Sequence, residues 1–183
     1  MRRTVIISIL FCLSIHCSAQ RWSVSTNLVE WAEFGTVNID GSVAVARHWS
    51  FDAGWAYNPW TFREGSPEQF QDRSLTASVG TRWWPWHVYA GWWVRGCAQY
   101  QVFNRGGLLS ESSEEADAYG AGIGFGYALL LGERFNIDLG MGVWGGRKDY
   151  TVFRCTNCGR IMDQGSKWFV MPNDIMVSLT FIF

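Results

Sequence analysis

Hydrophobic residues in this chain recur at every second position in eight separate stretches, and this alternation limits the fold more than any other feature. The last nine residues show it most plainly. Ile175, Val177, Leu179, Phe181 and Phe183 fall on one side of an extended strand, with Ser178 and Thr180 on the other. A period of two excludes an amphipathic helix, whose apolar positions recur every three to four residues. The same alternation marks residues 22–28, 37–46, 51–57, 74–83, 87–102, 119–129 and 135–143. Beyond the N-terminal segment no run approaches the roughly 18 apolar residues of a spanning helix.

The connections between these stretches alternate in length. Those at 47–49, 84–86 and 131–134 are short, and those at 29–35, 58–72, 104–115 and 145–167 are mostly longer. Outer-membrane barrels show this asymmetry, with an even number of strands, short periplasmic turns and longer extracellular loops. One strand face is almost purely apolar, whereas the other is Ser, Thr, Asn, Asp and Gly. A lipocalin-like barrel in water would place its apolar face inside. The expected fold is therefore all-β, an eight-stranded antiparallel up-and-down transmembrane β-barrel of outer-membrane type.

Lipid is then the partner of the outer face, and the terminal aromatic Phe183 is the expected signal to the barrel assembly machinery. Aromatics near the strand ends suit interfacial girdles. These are Trp49, Trp83, Trp84 and Phe183 at the turn end, and Trp31, Tyr57, Trp60, Phe62, Phe103, Trp144 and Trp168 at the loop end. The polar face carries charges of both signs, and a buried charge needs a partner. Arg82, Asp52 and Asp138 are expected low in the lumen, with Arg95, Asp40 and Asp174 higher. Eight strands leave room for side chains and little else, so no wide pore is expected.

The N-terminus reads as a signal peptide over residues 1–19. Met1-Arg2-Arg3 is basic, residues 4–15 are apolar, and Cys17-Ser18-Ala19 offers a small-x-small cleavage site. Phe11 and His16 stand before Cys12 and Cys17, where a lipobox needs a small residue, which disfavours lipidation. Residues 20–183 then form one domain. Without Arg2 and Arg3 it holds 13 basic against 16 acidic residues, a net charge of −3 that excludes a nucleic-acid partner.

Cys155-Thr156-Asn157-Cys158-Gly159 is the sharpest local motif. In an oxidising compartment Cys155 and Cys158 are disulfide candidates. A zinc knuckle would need further ligands, and only Cys97, His48 and His87 remain, on distant elements. A thioredoxin-like dithiol would need a βαβ context that is missing here. Cys97 is expected as a lone thiol facing the lumen. The run Gly120-Ala121-Gly122-Ile123-Gly124-Phe125-Gly126 has the look of a nucleotide loop, but its period is two, and neither Gly120 nor Gly122 starts a GxGxxG because Phe125 and Tyr127 take the third glycine position. Its glycines make room for bulky lumen neighbours such as Tyr89, Trp93 and Arg95. His48 and His87 fall at the turn end, away from Asp117, Asp149 and Asp163 on the loop side. No nucleophile, base and acid converge, so neither an enzyme nor a cofactor is expected.

Thr26-Asn27-Leu28, then Tyr57-Asn58-Pro59-Trp60-Thr61-Phe62, the 119–127 glycine strand, and Cys155-Thr156-Asn157-Cys158-Gly159 followed by Gly165 and Lys167 occur in that order. In this the chain resembles the domain-of-unknown-function family 3575, exported proteins of the Bacteroidetes. Asn58, Pro59, Trp60, Thr61 and Phe62, with the cysteine pair, are the most specific parts of the likeness. The segment 31–37 departs from the Thr/Pro-rich form of the family, and Asn173-Asp174 replaces a Lys-containing stretch. The resemblance implies an outer-membrane β-barrel-like protein, with some relatives encoded near fimbrial genes, and supplies no activity. The expected function is a non-enzymatic structural or binding role at the surface through the extracellular loops. The alternatives are an accessory role in fimbria assembly, with fimbrial proteins as partners, and a small outer-membrane enzyme.

Overall fold

A computed structural model describes residues 22–65, 69–107, 112–156 and 158–183, with the side chains at positions 158 and 174 outside that description. The expected signal peptide lies outside the described residues. Among the described residues the chain forms β1 (Trp22–Asn27), a one-turn helix α1 (Leu28–Ala32), β2 (Val37–Ala46), β3 (Trp49–Asn58), β4 (Thr61–Phe62), β5 (Phe70–Trp83), β6 (Gly91–Gly106), β7 (Ser113–Leu130), β8 (Phe135–Cys155) and β9 (Cys158–Ile182). All strand pairs are antiparallel.

Eight of these strands close a ring. Neighbours in sequence pair from β1 to β3 and from β5 to β9, β3 pairs with β5 across the short β4, and β9 returns to β1. The last contact runs from Ser23 opposite Ile182 to Asn27 opposite Ser178, so the C-terminal strand closes on the first one as the sequence requires. No described helix is long and apolar enough to cross a membrane, which says nothing of a crossing by strands.

Alternation sorts the side chains by face. Val79 and Ile123 point outward and are 61% and 60% exposed, whereas Ser50 and Asn136, pointing inward, are fully buried. The chain thus buries its polar face and exposes its apolar one. Ring closure demands tight strand coiling, and inward glycines allow it. A Cβ on Gly124 or Gly142 would press on the backbone of the neighbouring strand.

Three expectations are corrected. Residues 145–167 are not a loop, because β8 and β9 continue as a hairpin to a turn beyond Cys155 and Cys158. Much of 104–115 is strand as well, since β6 runs to Gly106 and β7 starts at Ser113. Strand length rises round the ring, from 10 residues in β2 and β3 to 25 in β9. At about 3.3 Å per residue, the wall from β6 to β9 rises well above the rest of the rim. Hydrophobic alternation disappears there because the outward positions turn polar, with Arg147, Asp149 and Thr151, and Gly145, Gly146, Gly159 and Gly165 have the look of a loop.

The third correction concerns aromatics. Trp84 is 0% exposed, Trp144 is buried, and Phe103 lies on the inner face beneath Arg105 and Lys148. All three fill the interior and none belongs to an outer girdle. Trp49, Trp83, Tyr57 and Trp60 do stand exposed near the ends of the ring strands, whereas Trp168, expected at the loop end, stands exposed well inside β9.

Candidate functional site

The interior is layered. Its floor, at the turn end, is a cluster of Trp84, Tyr89, Trp93, Ala128 and Ile182. The expected strand start at His87 is displaced to Gly91, because residues 84–90 fold into the mouth of the ring. Tyr89 and Gly91 take positive φ angles of 68° and 75°, which turn the chain back on itself. A Cβ on Gly91 would run into the Trp86 ring. The Trp84 indole N–H donates to Ser50 Oγ at 3.0 Å, and its carbonyl meets His48 Nδ1 at 2.8 Å. His48 is therefore a strut of the floor, and His87 forms a small bridge with Ala90. Neither histidine is brought near Asp117, Asp149 or Asp163, which lie at the other end.

Above the floor sits a charged layer. Arg82 stacks over Trp93, its guanidinium carbon 4.8 Å from the ring centroid. Its nitrogens lie 3.7 Å from Asp52 and 3.4 Å from Asp138. Arg95 holds Asp52 more tightly, at 2.6 Å through Nη2 and 2.8 Å through Nε, and also donates to Ser78. Thr180 donates to Asp138 at 3.1 Å. The structure thus joins Asp52, Arg82, Asp138 and Arg95 in one network. Arg95 was expected higher with Asp40, and it does line a cavity with Asp40 while reaching down to Asp52. The Asp174 side chain, assigned to the upper group, lies outside the described residues.

The cavity above this layer holds about 100 Å3 and is walled by Asp40, Ser78, Gln99, Gln101, Glu30 of α1 and Glu33 just after it. It suits water or a small polar solute. At the rim a wider cleft of about 500 Å3 lies between Phe34, Phe70, Phe103, Arg105, Lys148 and Met171. There Arg105 pairs with Asp72 at 2.6 Å, and Lys148 pairs with Glu114. Aromatic faces below paired cations give the cleft one apolar wall and one charged wall. Farther out, the hydrogen bond from Tyr150 to Asp163 raises the phenol above its ordinary pKa, aided by desolvation and the charges of Asp163 and Glu114. Among the described residues no group of three His, Cys, Asp or Glu is placed to hold a metal.

The Asn58–Phe62 motif ties the rim together. Buried Asn58 donates to Thr36 Oγ1 at 3.1 Å and accepts from the Trp60 amide at 3.1 Å. The Trp60 indole reaches the Gly35 carbonyl at 3.3 Å, and Phe62 stacks on Phe70 with centroids 5.5 Å apart. A second knot escaped the sequence reading. Asn27 caps α1 through Val29 N–H at 3.2 Å, accepts from Val177 N–H at 3.1 Å, and donates to Glu30 at 3.1 Å. Asn27-x-x-Glu30 is a capping-box spacing, so the signal was present. Cys97 is half-buried on the inner face, about 3.0 Å from where a Cβ on Gly122 would stand. Cys155 lies opposite Cys158 in the backbone register, and the pairing of their sulfurs falls outside the described side chains.

A family model described as "Protein of unknown function (DUF3575)" matches residues 5–183. No curated protein and no solved structure matches the chain.

Proposed function

The chain belongs to the DUF3575 family, and from that premise we propose that it is a non-enzymatic outer-membrane β-barrel that acts at the surface through its loop-end structure. One observation carries this reading. The ring exposes its apolar side chains and buries its polar ones, including the Asp52, Arg82, Asp138 and Arg95 network. Such an arrangement is stable where the outer phase is hydrocarbon. The lengths of β2 and β3 fit too. Ten residues rise about 33 Å along the strand, or roughly 25 Å vertically at a tilt near 40°, the height of the apolar band in such barrels. Export would follow from the signal peptide expected over residues 1–19. Surface binding would use the rim cleft and the tall β6–β9 wall, and the aromatic floor argues against conduction.

Fractionation tests the reading. The protein should sediment with outer membranes, need detergent for extraction, and migrate faster on gels unheated than boiled. Recovery from the periplasm without detergent would overturn it. We also propose a disulfide between Cys155 and Cys158 at the hairpin tip. Thiol titration of the denatured protein should rise by two groups after reduction, whereas an unchanged titre would reject the bond.

A further inference from the structure

β9 is 25 residues long, but β1 pairs with it only from Ser178 to Ile182. Next to that contact, α1 packs on β9 and Asn27 takes the Val177 N–H. Pro172, which has no N–H to offer a neighbour, blunts the edge just beyond. From Gly159 to Met171 the side of β9 away from β8 has no strand partner among the described residues. Its ladder with β8 is regular from Asp163 to Pro172, with no register shift. A long, regular, open edge is a template for another strand.

The sequence of that edge indicates which strand. Ile161–Phe169 reads Ile-Met-Asp-Gln-Gly-Ser-Lys-Trp-Phe, chemically symmetric about Gly165. Laid antiparallel on itself with Gly165 opposite Gly165, it matches Gln164 with Ser166, Asp163 with Lys167 and Met162 with Trp168, and the register shift between Asp163 and Ile161 ends the regular match there. Each match joins like polarity or opposite charge, the pairings that stabilise neighbouring strands. Met162 and Trp168 are 64% and 80% exposed, a large apolar surface left uncovered by the described residues. Asp163 and Lys167 are already held in place on one face, the first by the Tyr150 hydroxyl at 3.1 Å, the second over the Tyr150 ring at 4.4 Å.

We propose that the open edge of β9 is a self-recognition surface, pairing antiparallel with the same edge of a second copy about a two-fold axis at Gly165. The interface is isologous, so each Asp163–Lys167 contact occurs twice. A further consequence rests on the membrane reading above. β9 runs from the loop end to the turn end of the ring, so antiparallel pairing places the turn ends of the two rings in opposite directions. Copies in two facing membranes meet this condition, and the pair then joins apposed surfaces.

Charge reversal tests the proposal in full-length protein purified in detergent, or without it if the chain proves not to need it. Sedimentation should show a dimer at micromolar concentration. Asp163→Lys places two like-charged pairs in the interface and should weaken the dimer at least tenfold, and Lys167→Asp should do the same. The double variant should dimerise again, and the two single variants should form a heterodimer on mixing. A monomeric wild type, or a dimer indifferent to Asp163→Lys, would overturn the proposal. So would failure of the mixed variants to associate while each keeps the wild-type melting curve. Vesicles carrying the wild type should cluster and those carrying Asp163→Lys should not. Dimers in detergent without clustering would reject the facing-membrane geometry and leave the edge pairing standing.

Discussion

Replacing Arg82 by alanine is expected to destabilise the folded ring by about 3 kcal/mol, the lower end of the range for breaking a buried ion pair from one side. Arg82 is buried between two carboxylates, 3.7 Å from Asp52 and 3.4 Å from Asp138. The two acids do not suffer equally. Asp52 keeps Arg95 at 2.6 Å, whereas Asp138 retains only the Thr180 hydroxyl among the hydrogen bonds described for it. The loss therefore falls on Asp138. Adding Asp138→Asn to the Arg82→Ala chain removes the stranded charge and should recover a large part of the stability, while adding Asp52→Asn should not, because it also strands Arg95. Urea unfolding followed by tryptophan fluorescence, or the temperature at which the compact band is lost on gels, measures both. Equal rescue by the two asparagine variants would refute this division of roles.

That network was legible in the sequence because Asp52, Arg82 and Asp138 each sit on the polar side of an alternating strand, at depths set by short turns. Ring closure was legible for the same reason. The extended hairpin was not. A strand announces itself through hydrophobic alternation only where one face is apolar and the other polar, and over residues 145–155 the outward positions Arg147, Asp149 and Thr151 are polar while the inward ones mix Gly146, Lys148 and Tyr150. Ending β8 at Val143 also misplaced Trp144. Once the strand is continued, simple parity turns Trp144 inward, where it meets Phe169 at 4.6 Å. Trp84 was missed for a different reason. Trp84-Pro85-Trp86 signals a turn, but no local pattern says that the turn folds into the ring. Only the space left by small neighbours such as Ala128 decides that.

The floor supplies the second large effect, expected at Gly140. A Cβ there would lie 2.7 Å from two atoms of the Trp93 indole. Trp93 has no room to swing away, with Trp84 at 6.5 Å between ring centroids on one side and the Arg82 guanidinium at 4.8 Å on the other. Gly140→Ala should therefore cost about 1–3 kcal/mol as overpacking. Trp93→Leu alone should cost about 3 kcal/mol, because it opens a cavity beneath the charged layer. Combined, the two changes should not add. With the indole gone, the nearest remaining neighbour is the Phe125 carbonyl oxygen at 3.2 Å. Alanine then fills part of the cavity and restricts the unfolded chain, so Gly140→Ala should cost less in the Trp93→Leu background than in the wild type. Gly41→Ala is the control, since a Cβ there meets nothing within 4 Å. It should shift stability by less than about 1 kcal/mol in either background. If Gly140→Ala proves as mild as Gly41→Ala in the wild type, the indole does not press on β8 and the floor is looser than its geometry implies.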